Sequence, residues 1–298
     1  MAASQLPRTH LLLILAVCLA WGMNFLTSAA ALRELPPLLF TTLRLLPLIP
    51  LLLPWMRLPR KEQWLRLIVV ALCNGVLHFG LNFWAIREAG NLSSPAIVLQ
   101  SYIPMATVLA VVFLGERIGW RTWTGIAVSF AGVLVLGLDP MVLAKPFALA
   151  LMLISALALA VGTVVMRGLV GMHPIGMQGW VALIAIGPLL AWSGLVEQGQ
   201  WQAIRDATPV AWFGVAWACL VASLLGHAVF YWLVQRHPVS TLTPYLLLTP
   251  LFAILLGIAF WGDRPGPRLY LGGAMVLGGV LFIALRARTR ARTVPEPA

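Results

Sequence analysis

Ten apolar runs divide this chain, each close to the ~20 residues that a helix needs to cross a hydrocarbon core. They fall at about 10–30, 36–56, 65–86, 93–114, 119–138, 146–168, 175–195, 209–234, 239–261 and 268–286, separated by short stretches of charge, Pro and Gly. In lipid there is no water to satisfy backbone N–H and C=O groups, so a spanning segment must pair them internally. Runs of this length do so as helices. Only 10% of the 298 residues are charged and 61% are hydrophobic, against ~25% charged in a soluble domain. No polar stretch is long enough for a soluble domain, so the chain reads as an all-α polytopic membrane protein with ten transmembrane helices. The first run, followed by Ser28-Ala29-Ala30-Ala31, has the outline of a signal peptide, but its basic flank is thin and it is read as an uncleaved helix.

The runs are not independent. The fourth ends in Phe113-Leu114-Gly115-Glu116-Arg117 and is followed by Gly125 and Gly132; the ninth ends in Phe260-Trp261-Gly262-Asp263-Arg264 and is followed by Gly272 and Gly279. With Glu116 set over Asp263, both glycine pairs coincide, and so do Ser93 and Ser240, while Pro104 and Pro250 miss by one residue. Such self-similarity marks an internal duplication. It predicts one repeat over residues 1–143, a second over 144–288 and a basic then polar tail over 289–298. Five helices per repeat is an odd number, so the halves cross in opposite senses. Inverted repeats of this kind are a signature of secondary transporters, with the substrate site near the midplane between the halves. With the N-terminus inside, 13 Lys and Arg fall on the cytoplasmic side and 6 outside, which places both termini in the cytoplasm. The net charge of +11 then belongs to basic cytoplasmic loops, not to a nucleic-acid surface.

Polar groups are costly in hydrocarbon and usually face a cavity or a partner helix. The third run carries Asn74, His78 and Asn82 at i, i+4, i+8, one helical face; the eighth carries Ser223, His227 and Tyr231 at the same spacing, and the ninth Thr241, Tyr245 and Thr249. The fourth adds Ser94, Gln100, Ser101 and Tyr102, and the first Trp21, Asn24 and Ser28. Together the stripes can line one pathway; singly, each can be an interhelical hydrogen bond worth about 0.6 kcal/mol. Pro104 and Pro250 interrupt corresponding runs, a pointer to a transport site or a static kink for packing. Arg44 lies well inside the second run, at a cost of about 2.5–3.5 kcal/mol on insertion scales. It can bind a substrate carboxylate through its fork, cap helix-end carbonyls or snorkel to a surface. All nine acids fall in loops, helix ends or the tail, so a carboxylate proton relay is not expected, and Glu116 and Asp263 are expected to cap helix ends. Cys18, Cys73 and Cys219 lie inside apolar runs and read as packing residues. His78 and His227 lack a third ligand at similar depth for a metal. Without an H-E-x-x-H motif, an intramembrane acid pair or a Ser-His pair, an enzyme is not expected, nor is a cofactor.

At this point the chain resembles the EamA-type, ten-helix branch of the drug/metabolite transporter superfamily over nearly its whole length. The resemblance rests on Ala20-Trp21-Gly22-Met23-Asn24-Phe25, Pro37 followed by Arg44, Ile97-Val98-Leu99-Gln100, Leu114-Gly115-Glu116-Arg117 with Gly125 and Gly132, and Thr243-Pro244-Tyr245-Leu246-Leu247 through Pro250. Asp263 departs from it, standing where Glu is commoner. The resemblance implies a bacterial inner-membrane exporter of amino acids or related metabolites, with a cavity between two inverted halves. A multidrug or nucleotide-sugar-like carrier is the alternative; a nucleotide sugar would call for more buried cations than Arg44. The expected substrate-binding residues are Trp21, Asn24, Arg44, His78, Asn82, Gln100, Tyr102, His227, Tyr231 and Tyr245, in a site expected to be built from helices one, three, four, six, eight and nine. Pro104, Pro250, Glu116 and Asp263 are the expected hinge and gating residues. The expected partners are a small-molecule substrate and the lipid bilayer; a monomer is compatible with this reading, and the oligomeric state stays open.

Overall fold

A computed structural model describes residues 6–234, 236, 237 and 239–293, of which 239–241, 243 and 287–293 through the backbone alone. The described residues form helices joined by short connections, with no strand among them. Among the described residues nine helices are long and apolar enough to cross a membrane: α1 Arg8–Ala31, α2 Pro37–Trp55, α3 Lys61–Ala89, α4 Ser93–Leu114, α6 Pro146–Met166, α7 Pro174–Val196, α8 Pro209–Val234, α9 Pro244–Trp261 and α10 Pro267–Arg286. Between α4 and α6 lies α5, Trp120–Gly137, an 18-residue helix that opens on Trp120-Arg121-Thr122-Trp123-Thr124 and is less apolar than the others for that reason. Proline starts α2, α6, α7 and α8, where its missing N–H costs no hydrogen bond. Gly115 and Gly262, the glycines of the repeated motif, end α4 and α9 at φ of 66° and 81°, a left-handed turn that other L-residues resist. The turn throws the following acid, Glu116 or Asp263, off the helix axis.

Two helices meet through the repeated glycines. A Cβ on Gly132 of α5 would come within 2.7 Å of the Gly272 carbonyl on α10, and one on Gly279 within 2.6 Å of the Gly125 carbonyl. The contacts run antiparallel, with the fully buried Ser129 between them. They also interchange under the offset that sets Glu116 over Asp263: Gly125 corresponds to Gly272, and Gly132 to Gly279. Small residues let the backbones approach this closely without a side chain between them.

Several helices are interrupted. The ladder of α3 widens to the π form over Ala71–His78, and that of α8 over Trp217–Leu225, corresponding positions in the two halves. α4 breaks at Gln100–Ser101, between helical segments Ser93–Leu99 and Tyr102–Leu114. The ninth run breaks at Leu247, between Val239–Leu246 and Leu248–Leu256. Pro104 and Pro250 are each the third residue after the break. A proline ring collides with the carbonyl four residues back, so a break just upstream is its expected consequence.

The connections gather at two ends. At one, four carboxylates from four different connections accept from the starts of four helices. Asp263 takes the N–H groups of Leu92 (3.0 Å) and Ser93 (2.8 Å) and the Ser93 hydroxyl (2.5 Å) at the start of α4. Glu197 takes Leu38 N–H (2.7 Å) and Leu39 N–H (3.1 Å) of α2, Glu34 takes Thr208 N–H and hydroxyl (both 2.7 Å) before α8, and Asp139 takes Leu269 N–H (3.0 Å) of α10. Helix starts carry unpaired donors and partial positive charge, which carboxylates offset. The Thr208 amide and then its hydroxyl hold the Glu34 carboxyl below its ordinary value. At the other end Glu116 pairs with Arg167 on the surface, and Gln63, Arg66 and Trp180 bond to backbone carbonyls of Val170, Gly168 and Arg57. The Glu116 side chain, expected to cap a helix end, is half-exposed and paired with Arg167. Asp263 does cap, at α4 and not at its own helix.

Candidate functional site

A cavity of about 430 Å³ lies between the helices, lined from α1, α2, α3, α4, α6, α7, α8 and the ninth run, within the ordinary size of a small-molecule site. It reaches Met166 at the end of α6 and Pro174 at the start of α7, next to the Glu116–Arg167 pair. The cavity thus approaches the Glu116 end, and none of the four helix-capping carboxylates of the other end lines it.

Trp21, Asn24, Arg44, His78, Asn82, Gln100, Tyr102, His227 and Tyr231 all line it. Tyr245 does not. The spacing of Thr241, Tyr245 and Thr249 assumed one continuous helix, but the break at Leu247 rotates the two segments. Thr249 faces the cavity, while Tyr245 packs with Ile14, Cys18 and Leu242, its carbonyl accepting from the Cys18 thiol at 3.2 Å. The Thr241 side chain lies outside the described residues. Ser223 stands behind the wall, and Ser94 and Ser101 serve local turns, bonded to Asn91 and Val98.

Arg44 is 2% exposed. Its Nη2 donates to Ser223 Oγ at 2.5 Å, and its guanidinium lies 4.3 Å from the Phe79 ring centre and 5.1 Å from Phe83, a cation–π arrangement. Ser223 Oγ donates in turn to Ala218 carbonyl at 2.7 Å, a bond across five residues that the π ladder permits. Arg44 Nε has no partner, and neither do Asn74 Oδ1 or Asn82 Oδ1. Buried polar atoms are ordinarily paired, so three residues of the chamber wall each carry an unsatisfied buried atom; Asn74 Oδ1 packs against Gly162 of α6. No Asp or Glu lines it, so Arg44 meets no anionic side chain there.

The remaining carbonyls of the α8 π segment serve as scaffold. Ala222 carbonyl accepts from Trp21 Nε1 (2.9 Å) and His227 Nδ1 (3.2 Å); Ser223 carbonyl accepts from Gln178 Nε2 (3.2 Å) and His227 Nδ1 (3.0 Å). On α3, His78 Nδ1 lies 2.9 Å from Ser155 Oγ of α6. Among the described residues no three His, Cys, Asp or Glu side chains gather as metal ligands.

Sequence reasoning missed α7 as a wall. Gln178, an amide in an apolar run, was the available signal. It also left Asn74 off the final set, although that residue belongs to the His78 stripe.

Fold and site define a class: a multi-pass helical membrane protein built around an internal chamber whose largely apolar lining carries a few polar groups. The chain belongs to the EamA-like transporter family, which matches it twice, over residues 8–138 and 146–285. It is 30% identical to the "Uncharacterized transporter YvbV" of Bacillus subtilis, over 96% of this chain and 95% of that one. It is 27% identical to a "Probable amino-acid metabolite efflux pump" of Salmonella typhimurium, over 93% and 95%. With the "Uncharacterized inner membrane transporter YedA" of Escherichia coli it shares 22%, over 91% and 89%. A solved crystal structure with 18% identity superposes with a TM-score of 0.63, over 95% of this chain and 98% of that one, a likeness of fold.

Proposed function

We propose that this protein exports amino acids and related small metabolites across the bacterial inner membrane, by alternating access between two inverted five-helix halves. The observation that carries the reading is Arg44: a guanidinium buried in a chamber wall, held by a serine and two phenylalanine rings, with one N–H unused and no acidic lining residue to pair with. A substrate carboxylate is the group that completes it, by charge-assisted hydrogen bonds. Among the lining residues, Trp21, Phe79, Tyr102 and Tyr231 suit an apolar side chain. The relative named as an amino-acid metabolite efflux pump agrees with this substrate class. Under the orientation drawn from Lys and Arg, the Glu116 end is cytoplasmic, so the cavity approaches the side from which an exporter loads. Pro104 and Pro250, just past matched helix breaks, are the hinges in this reading. A nucleotide-sugar-like cargo is less well served, since Arg44 is the one cation among the lining residues.

The test is counterflow in proteoliposomes with a panel of labelled amino acids, with and without a pH gradient. Uptake of a subset is expected. Arg44→Gln should lower it about 10- to 100-fold, the worth of a charged hydrogen bond of ~1.5–3 kcal/mol. Folded protein that moves no amino acid would sink the reading and turn attention to drugs or other metabolites.

A further inference from the structure

The two cavity histidines are held by one ring nitrogen, and their partners settle which nitrogen carries the proton. Ser155 Oγ donates its single hydrogen to the His78 carbonyl at 3.0 Å. It therefore has only lone pairs to offer the same residue's Nδ1, 2.9 Å away, and that nitrogen must be the N–H donor. His227 Nδ1 faces two carbonyls, Ala222 and Ser223. Carbonyls only accept, so this Nδ1 also carries the hydrogen. A neutral imidazole has one N–H and one lone pair. Both rings line the cavity with Nε2 as the nitrogen left to accept. Each arrangement sits in a π segment or at its edge: His78 is the last residue of Ala71–His78, and the carbonyls that hold His227 lie within Trp217–Leu225.

A site that offers a guanidinium to a carboxylate, and no acid to an ammonium, must receive the ammonium with neutral acceptors. Imidazole nitrogen is the most basic of these. Resting on the amino-acid reading above, we propose that Nε2 of His78 and of His227 accepts from the substrate's protonated amine, and that Ser155 is the positioning residue that holds His78 in the required tautomer. The substrate class narrows to molecules carrying both a carboxylate and a protonated amine. A hydroxy acid of the same shape brings one uncharged O–H in place of three ammonium N–H donors, so it can serve only one of the two nitrogens and forfeits the charge-assisted bonds, the kind of loss by which a polar site rejects an analogue.

Two measurements on the full chain test this. Ring nitrogen NMR of histidine-labelled protein in lipid, assigned with His78→Gln and His227→Gln, is expected to show both rings protonated at Nδ1 and bare at Nε2. Ser155→Ala should release that tautomer at His78 and leave His227 as it was; Ser155→Thr, which keeps the hydroxyl, should restore it. Counterflow is then compared between the best-carried amino acid and its 2-hydroxy analogue. Wild type should favour the amino acid by about tenfold or more; Ser155→Ala should lower that ratio and Ser155→Thr recover it. Equal carriage of the two compounds by wild type overturns the proposal and leaves the carboxylate carrier standing. So does an Nε2–H tautomer at both histidines, or an unchanged ratio in a Ser155→Ala protein whose His78 tautomer is lost. Failure of every amino acid to move removes the underlying reading, and the amine role with it.

Discussion

Gly162 of α6 shows how narrow the tolerance of the chamber wall is. A methyl group placed there would overlap the carboxamide of Asn74, whose Oδ1 is nearest to it. Asn74 belongs to the lining and carries no spare room, so Gly162→Ala should push its amide into the cavity. Overpacking of this kind costs about 1–3 kcal/mol. The expected result is a lower Tm and weakened counterflow, with the Tm recovered when Asn74→Ala is added; thermal melts of both variants check it. At this scale the sequence was a good guide wherever one helical turn was enough. Asn74, His78 and Asn82 recur every four residues, and the face they mark is the face that lines the cavity. Arg44 was visible as a charge in an apolar run. Its partner Ser223 was not, because a bond across the interior between α2 and α8 leaves no trace in local spacing.

At the scale of the helix, continuity of the backbone ladder was what spacing could not reveal. Tyr245 was misplaced because a four-residue rule was carried through the break at Leu247. The π segments in α3 and α8 were equally hidden, since a ladder shifted by one residue changes no composition. What could be read was the cause of the breaks, the prolines themselves. Replacing Pro104 and Pro250 together by Ala removes both ring clashes and restores an N–H to each segment. The double variant should melt higher and turn over more slowly, because straighter helices resist the change of shape that transport needs. Melting curves and initial counterflow rates, taken on one preparation, check both parts. A variant that melts higher and transports as fast as wild type would deny the prolines a hinge role.

For the molecule as a whole, the duplication was the most legible feature, because glycines at fixed offsets survive where other residues drift. Their purpose needed three dimensions: Gly125, Gly132, Gly272 and Gly279 face each other across one seam. Since the contacts interchange between the halves, Gly132→Ala and Gly279→Ala, the equivalent positions, should lower Tm by similar amounts; clearly unequal losses would argue that the seam is not symmetric. The four carboxylates at one end have a consequence of a different kind. They tie together the starts of four helices at that end; in the orientation and function proposed above that end is external, and the ties make the fraction of carriers offering a site to the outside medium small. An apparent dissociation constant is the intrinsic one divided by the competent fraction. Half-saturation measured from the outside should therefore lie well above that measured from the cytoplasmic face, and Asp263→Ala should narrow the gap. On the proposed orientation such a carrier is a leaky rectifier: it gathers cargo readily from a dilute interior, and it is hard to run backwards from a rich exterior.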